Sequence, residues 1–405
     1  MKIGQFRKIT LFMLIIAVAL SIFSCKKDTL EGNSETTEET TNSQPEENLE
    51  FVTVDFRKND GTSPKGYSIK PETSHIVFIG NPSKIYYDFS IRVEKRATPL
   101  YIELQDFNYQ ANKSTIALDA SNVIFTQKVY LIANGNCSIY GGYASDGKSK
   151  SSQSWNIGYD NPTNGENGGV GGIGNATVVL NSGGIIVNKD AVLTLVGGNG
   201  GSGGSGGSGQ GGSSEGIGQS GHGGTGGTGG TGGVGLLVNN EISIENNGTL
   251  ALIGGKGGTG GEGGRGGNNQ DTGVFDRADH GGNGGNGGNG GTGGYAIQIL
   301  TTEDKVKVEG NRITLIGGNG GNGGNGNKGG DSCKNEFQTS SGGTPGKGGN
   351  GGTGGNGGLA AQGFFADADM QNGSGGLGGS KGDPGYNPSI GYGQSGTDGS
   401  NGIKP

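Results

Sequence analysis

The chain has 405 residues, 97 of them Gly and only 10 Pro, with a net charge of −7. Low Pro and the lack of a strict Gly-X-Y period exclude collagen, and the absence of a basic stripe argues against nucleic-acid binding. With 29% hydrophobic residues, one large apolar core is not expected.

Lys2, Arg7 and Lys8 precede the apolar run Thr10–Phe23 (TLFMLIIAVALSIF), too short to span a bilayer comfortably and suited to a signal h-region. The run ends in Ile22-Phe23-Ser24-Cys25. This resembles the relaxed lipobox of Bacteroidetes and spirochaete lipoproteins, although Phe23 stands where a small residue is usual. The resemblance implies a signal peptide over 1–24, a diacylglyceryl thioether and an N-acyl chain on Cys25, and a membrane as partner. More than one chain makes the anchoring durable. Lys26, Lys27 and Asp28 resemble a surface-export signal of such lipoproteins, which implies an outer-membrane protein facing outward; the alternative is a periplasmic tether. Glu31–Glu50 (EGNSETTEETTNSQPEENLE) is polar and acidic, so 25–50 is expected to be the lipidated Cys and a disordered tether.

Residues 51–98 are strand-rich but irregular and read as a β-rich N-terminal cap. From Pro99 the pattern becomes regular, and 99–196 reads as β rungs with one long loop. A strand followed by Gly-Gly recurs as CSIYGG, LTLVGG, LALIGG and ITLIGG, ending at Gly142, Gly198, Gly255 and Gly318, a period of about 60 residues. Between the glycine tracts lie Ala176–Val196, Leu236–Ile253 and Ala296–Ile316, each with short β-branched or Leu runs punctuated by Asn, Gly or Lys-Asp. Three short strands per block fit one turn of a right-handed parallel β-helix, successive turns pairing at about 4.8 Å. The predicted class is all-β.

After each motif the chain runs out in GGX triplets, changes composition, and returns in GGX triplets. The legs are Gly197–Gly212 with Gly223–Gly235, Gly254–Gly267 with Gly281–Gly294, and Gly317–Gly330 with Gly342–Gly358. A shorter excursion leaves at Gly141 and returns in GGVGGIG. Three residues per turn and a rise of about 3.1 Å describe a polyglycine-II helix, so such legs would run about 40–50 Å. Two faces must be Gly for close backbone approach, and the third, solvent-facing, carries any side chain. Asn199, Ser202, Ser205, Lys256, Thr259, Glu262, Arg265, Asn283, Asn286 and Asn289 occupy that face. Paired legs over 197–358 therefore predict a polyglycine-II sandwich, against a glycine-rich random coil. The grammar resembles the glycine-rich region of mycobacterial PGRS proteins, springtail antifreeze protein and the tip adhesins of T-even-like phages; it carries over no functional residue. Residues 359–405 read as a C-terminal cap or tail.

No catalytic constellation stands out, and no enzyme, cofactor or metal is expected. The acids Asp190, Glu241, Glu245, Glu303, Asp304 and Glu309 sit at turn-like positions beside Asn or Lys. His222 and His280 each precede a returning leg, but two ligands make a weak metal site. Cys137 lies in a strand pattern and Cys333 in a polar loop, so a disulfide between them is not expected. The variable segments between legs carry Trp155, Tyr159, Phe275, Asp276, Arg277, Lys334 and Phe337, side chains suited to binding a glycan or protein partner or to plugging the tips by local packing. The expected function is a non-catalytic, adhesin-like surface lipoprotein. The alternatives are a structural or antigenic surface protein, a carbohydrate-active β-helix enzyme, and ice binding through Thr225, Thr228 and Thr231.

Overall fold

The computed structural model describes residues 50–58, 65–152, 162–212, 220–269, 280–302, 305–332, 343–362 and 368–405. It is all-β, without an α-helix among the described residues. Apart from one short antiparallel pair near the C-terminal end, its strands form three parallel ladders. The first joins Tyr67–Ile69, Ile91–Val93, Leu118–Ala120, the first part of the long strands Val178–Val187 and Leu236–Asn246, then Ile297–Ile299 and Ala361–Gln362. The second joins Glu50–Asp55, Thr73–Ile79, Leu100–Gln105, Val129–Asn134, the second part of the two long strands, and Val306–Gly310. The third runs through Ile85–Tyr87, Asn108–Gln110, Asn136–Tyr140, Val192–Val196, Thr249–Ile253, Ile313–Ile316 and Ala368–Gln371. From Tyr67 to Ile316 the chain visits ladders one, two and three in rotation. Strands from 67–98 belong to these ladders, so regular pairing begins earlier than the sequence pattern marks.

Alternation explains the strands. Leu100–Gln105 and Val129–Asn134 bury every second side chain. In ladder two, Ile76, Ile102, Leu131, Ile185 and Ile244 stand in one register column; in ladder three, Tyr86, Tyr109, Ile139, Leu195, Leu252 and Leu315 form another. All of them are buried in one apolar core, against the expectation drawn from the 29% hydrophobic content. Each such aliphatic side chain contributes about 1.5–3 kcal/mol on burial. At the N-terminal end the filling is aromatic. Phe56, on the short 3-10 turn Phe56–Lys58, lies 4.8 Å from Phe107 and 5.2 Å from both Tyr86 and Phe89 by ring centroids. These rings close the core beneath the first strands.

The glycine-rich excursions leave after ladder three, and the first four return before ladder one. Outgoing legs 141–152, 197–212, 254–269, 317–332 and 373–385 lie side by side in one layer. Returning legs 162–175, 220–235, 280–294, 343–358 and 393–403 form the other. Within a layer, the first Gly of a triplet donates its N–H to the X carbonyl of the next leg: Gly200 to Lys256, Gly257 to Asn319 and Gly320 to Ser374, each at 2.8 Å. Between layers the second Gly donates in a zigzag: Gly201 to Gly172, Gly230 to Gly201, Gly258 to Gly230, Gly291 to Gly258 and Gly321 to Gly291. The approach leaves no space for a side chain. A Cβ on Gly227 would lie 1.9 Å from the Gly169 oxygen.

Candidate functional site

The triplet geometry leaves one backbone N–H per three residues, that of X, without a leg to receive it. Asn supplies the missing acceptor. The N–H groups of Lys347, Asn350 and Thr353 donate to Oδ1 of Asn283, Asn286 and Asn289 at 2.9, 2.8 and 3.0 Å. Ser374, Leu377 and Ser380 donate likewise to Asn319, Asn322 and Asn325. The third face is therefore not indifferent to residue type, as the sequence reading had it. Asp146 Oδ1 and Ser149 Oγ accept from the Ser202 and Ser205 N–H groups in the same way, at 2.7 and 3.1 Å.

His222 and His280 belong to the same device. His222 Nδ1 accepts from the Asn283 N–H at 2.9 Å, and His280 Nδ1 from the Thr344 N–H at 2.9 Å. Among the described residues no group of three or more His, Cys, Asp or Glu could hold a metal ion. The candidate acids are engaged individually. Glu241 pairs with Lys128 at 3.1 Å, Glu309 with Lys307 at 2.8 Å, and Glu245 accepts from Asn247 at 2.8 Å. Asp190 sits in a turn at φ 65; Glu303 and Asp304 lie outside the described residues. Cys137 is buried and unpaired, and burial pushes its thiol up to about 11.

The legs reach further than the GGX pattern. Ser220 donates to His280 O at 2.9 Å, Asn269 to Asp331 O at 3.1 Å, and Ser332 to Tyr386 O at 3.0 Å. Gly212 bridges Asn269, and Gly281 donates to Thr344 O. The residues flanking 213–219, 270–279 and 333–342 are thus hydrogen-bonded to one another, and the stack brings the mouths of these segments to one edge. Trp155, Tyr159, Phe275, Asp276, Arg277, Lys334 and Phe337, like Cys25 and Cys333, lie outside the described residues.

At that same edge the structure adds a turn that sequence reading missed. Tyr386–Asn387 and Gly391–Tyr392 pair antiparallel, with Gly391 at φ 86. Asn387 is buried and accepts from the Ser389 and Ile390 N–H groups at 2.7 and 3.1 Å. Its amide donates to Ser332 Oγ and Gly343 O of the neighbouring excursion. So fixed, the hairpin presents Tyr386, Ile390 and Tyr392 to solvent, the last 75% exposed, with the two tyrosine rings 5.0 Å apart. The symmetric signal GYNPSIGYG stood in the sequence, but its lack of GGX triplets hid it.

No family model and no curated protein matches this chain. Among solved structures, it is similar to a springtail antifreeze protein from Granisotoma rainieri, described as a bundle of nine polyproline type II helices, at 19% identity over 61% of this chain and 96% of that one. The TM-score is 0.10, too low for the likeness to bear on fold or function.

Proposed function

We propose that this chain is a non-catalytic, adhesin-like lipoprotein of the cell envelope, anchored through lipid on Cys25 at the outer membrane and facing outward. In this reading the three ladders are the faces of a right-handed parallel β-helix, and the paired legs a polyglycine-II sandwich. The rotation of the chain through the ladders and the preference for right-handed parallel crossovers favour the first. The three-residue periodicity of the interleg hydrogen bonds favours the second. The scaffold holds variable loops at one edge, where they bind a glycan or protein partner. The observation that carries the reading is the joining of the flanks of 213–219, 270–279 and 333–342 beside the exposed Tyr386–Tyr392 hairpin.

A glycan and host-matrix array probed with the full chain tests it. Binding that falls when Trp155, Tyr159, Phe275, Arg277, Phe337, Tyr386 and Tyr392 are changed to Ala supports the reading; binding unaltered by these changes overturns it. Cys25→Ala releases the protein from membranes, and retention there overturns the anchor.

A further inference from the structure

A second surface lies on ladder two. Its outward positions Phe51, His75, Tyr101 and Tyr130 stand opposite one another on four consecutive strands. Ring centroids are 4.9 Å apart for Phe51 and His75, 6.2 Å for His75 and Tyr101, and 5.1 Å for Tyr101 and Tyr130, whose planes differ by 10°. The column continues to Gly184, over which the Tyr130 ring lies: a Cβ there would meet Tyr130 Cδ1 at 3.0 Å. Phe51 is 62% and Tyr101 41% exposed.

A polar row runs beside the rings. Glu103 Oε1 accepts from Gln105 Nε2 at 2.8 Å and Asn134 Nδ2 at 2.6 Å, and Oε2 stands 3.2 Å from His75 Nε2. These contacts hold the carboxylate and amides in place. No described residue hydrogen-bonds to the Tyr101 or Tyr130 hydroxyl. Outside a core, aromatic side chains this regular are costly to leave wet.

We infer that this strip binds an extended, neutral polysaccharide laid across the strands, its sugar rings stacked on the aromatic column and its hydroxyls meeting the row of Glu103, Gln105 and Asn134. The strand spacing of about 4.8 Å is comparable to the length of one hexose in an extended chain, so successive sugars meet successive rungs. The fixed carboxylate of Glu103 opposes a polyanion. A lipid surface is disfavoured by the same carboxylate, and added strands by the strip's position on a sheet face instead of an edge. The inference does not rest on the loop reading, because its residues are on a different element.

Affinity electrophoresis of the full chain through gels containing hydroxyethylcellulose, glucomannan, mixed-linkage β-glucan or hyaluronan tests it. At least one neutral polysaccharide retards the protein, and Tyr101→Ala with Tyr130→Ala weakens that binding by about tenfold or more. Tyr101→Phe with Tyr130→Phe keeps the rings and most of the retardation, which separates stacking from misfolding. Tyr386→Ala with Tyr392→Ala leaves it unchanged, which separates the strip from the loops. No retardation in the neutral gels, retardation by hyaluronan alone, or equal retardation of the wild type and the alanine pair overturns the inference.

Discussion

Asn350 donates its backbone N–H to Oδ1 of Asn286 at 2.8 Å, across 64 residues of sequence. The bond is local in space because each excursion adds one leg to each layer beside the last. Asn286→Ala leaves the Asn350 amide to water. Loss of one such bond costs about 1 kcal/mol, and the Asn350 amide exchanges faster while Gly288 keeps its protection. Amide hydrogen exchange reads both; unaltered exchange at Asn350 refutes the bond.

Gly227 and Thr228 are adjacent but sit on opposite sides of the packing rule. Gly227→Ala places a Cβ 1.9 Å from a backbone oxygen, and overpacking of this kind costs about 1–3 kcal/mol or more. Thr228 faces solvent, and its change to Ala stays within about 0.5 kcal/mol. Thermal melts of the two variants should separate clearly, and equal melting points contradict the close-packed stack.

Leu195 is fully buried between Ile139 and Leu252 in ladder three. Leu195→Ala destabilises by about 2–5 kcal/mol through lost burial and a residual cavity. Urea unfolding gives the figure directly.

The Cys137 thiol is raised to about 11 by burial, from an unfolded value of about 8.5. Its neutral form is the folded form. Its contribution to stability is therefore complete below the unfolded value and is lost as pH rises through about 11. Alkylation at pH 8, read by peptide mapping, should leave Cys137 unmodified in the native protein and modify it in denaturant. Rapid native alkylation contradicts its burial.

On the last described legs, side chains take the acceptor role that a neighbouring leg supplies elsewhere. Gly378 donates its N–H to Asn401 Oδ1 and Lys381 to Asp398 Oδ1, both at 2.9 Å, and Pro384 has no N–H to leave open. Changing Asp398 and Asn401 together to Gly restores an open edge. The expected outcome is concentration-dependent association in sedimentation, an edge hazard that natural sheets also suppress.

Much of this was legible in the sequence. Strand-GG motifs at Gly142, Gly198, Gly255 and Gly318 mark where the chain leaves ladder three, and the mirrored GGX tracts mark the legs. What escaped has physical causes. The leg 141–152 pairs although Ser145 and Lys148 stand where interior legs have Gly, because no earlier leg approaches them. The role of Asn at X depends on a neighbour 64 residues away, so no local pattern announces it. The aromatic column is invisible in one dimension, since Phe51, His75, Tyr101 and Tyr130 meet only once register is set.

The zigzag from Gly172 through Gly201, Gly230, Gly258, Gly291 and Gly321 joins each leg only to those laid down just before and just after it. A chain so wired can settle turn by turn as it emerges, N-terminus first, each finished turn templating the next. Its stability then grows by repeated increments, and a duplicated turn extends the array without disturbing the turns already set.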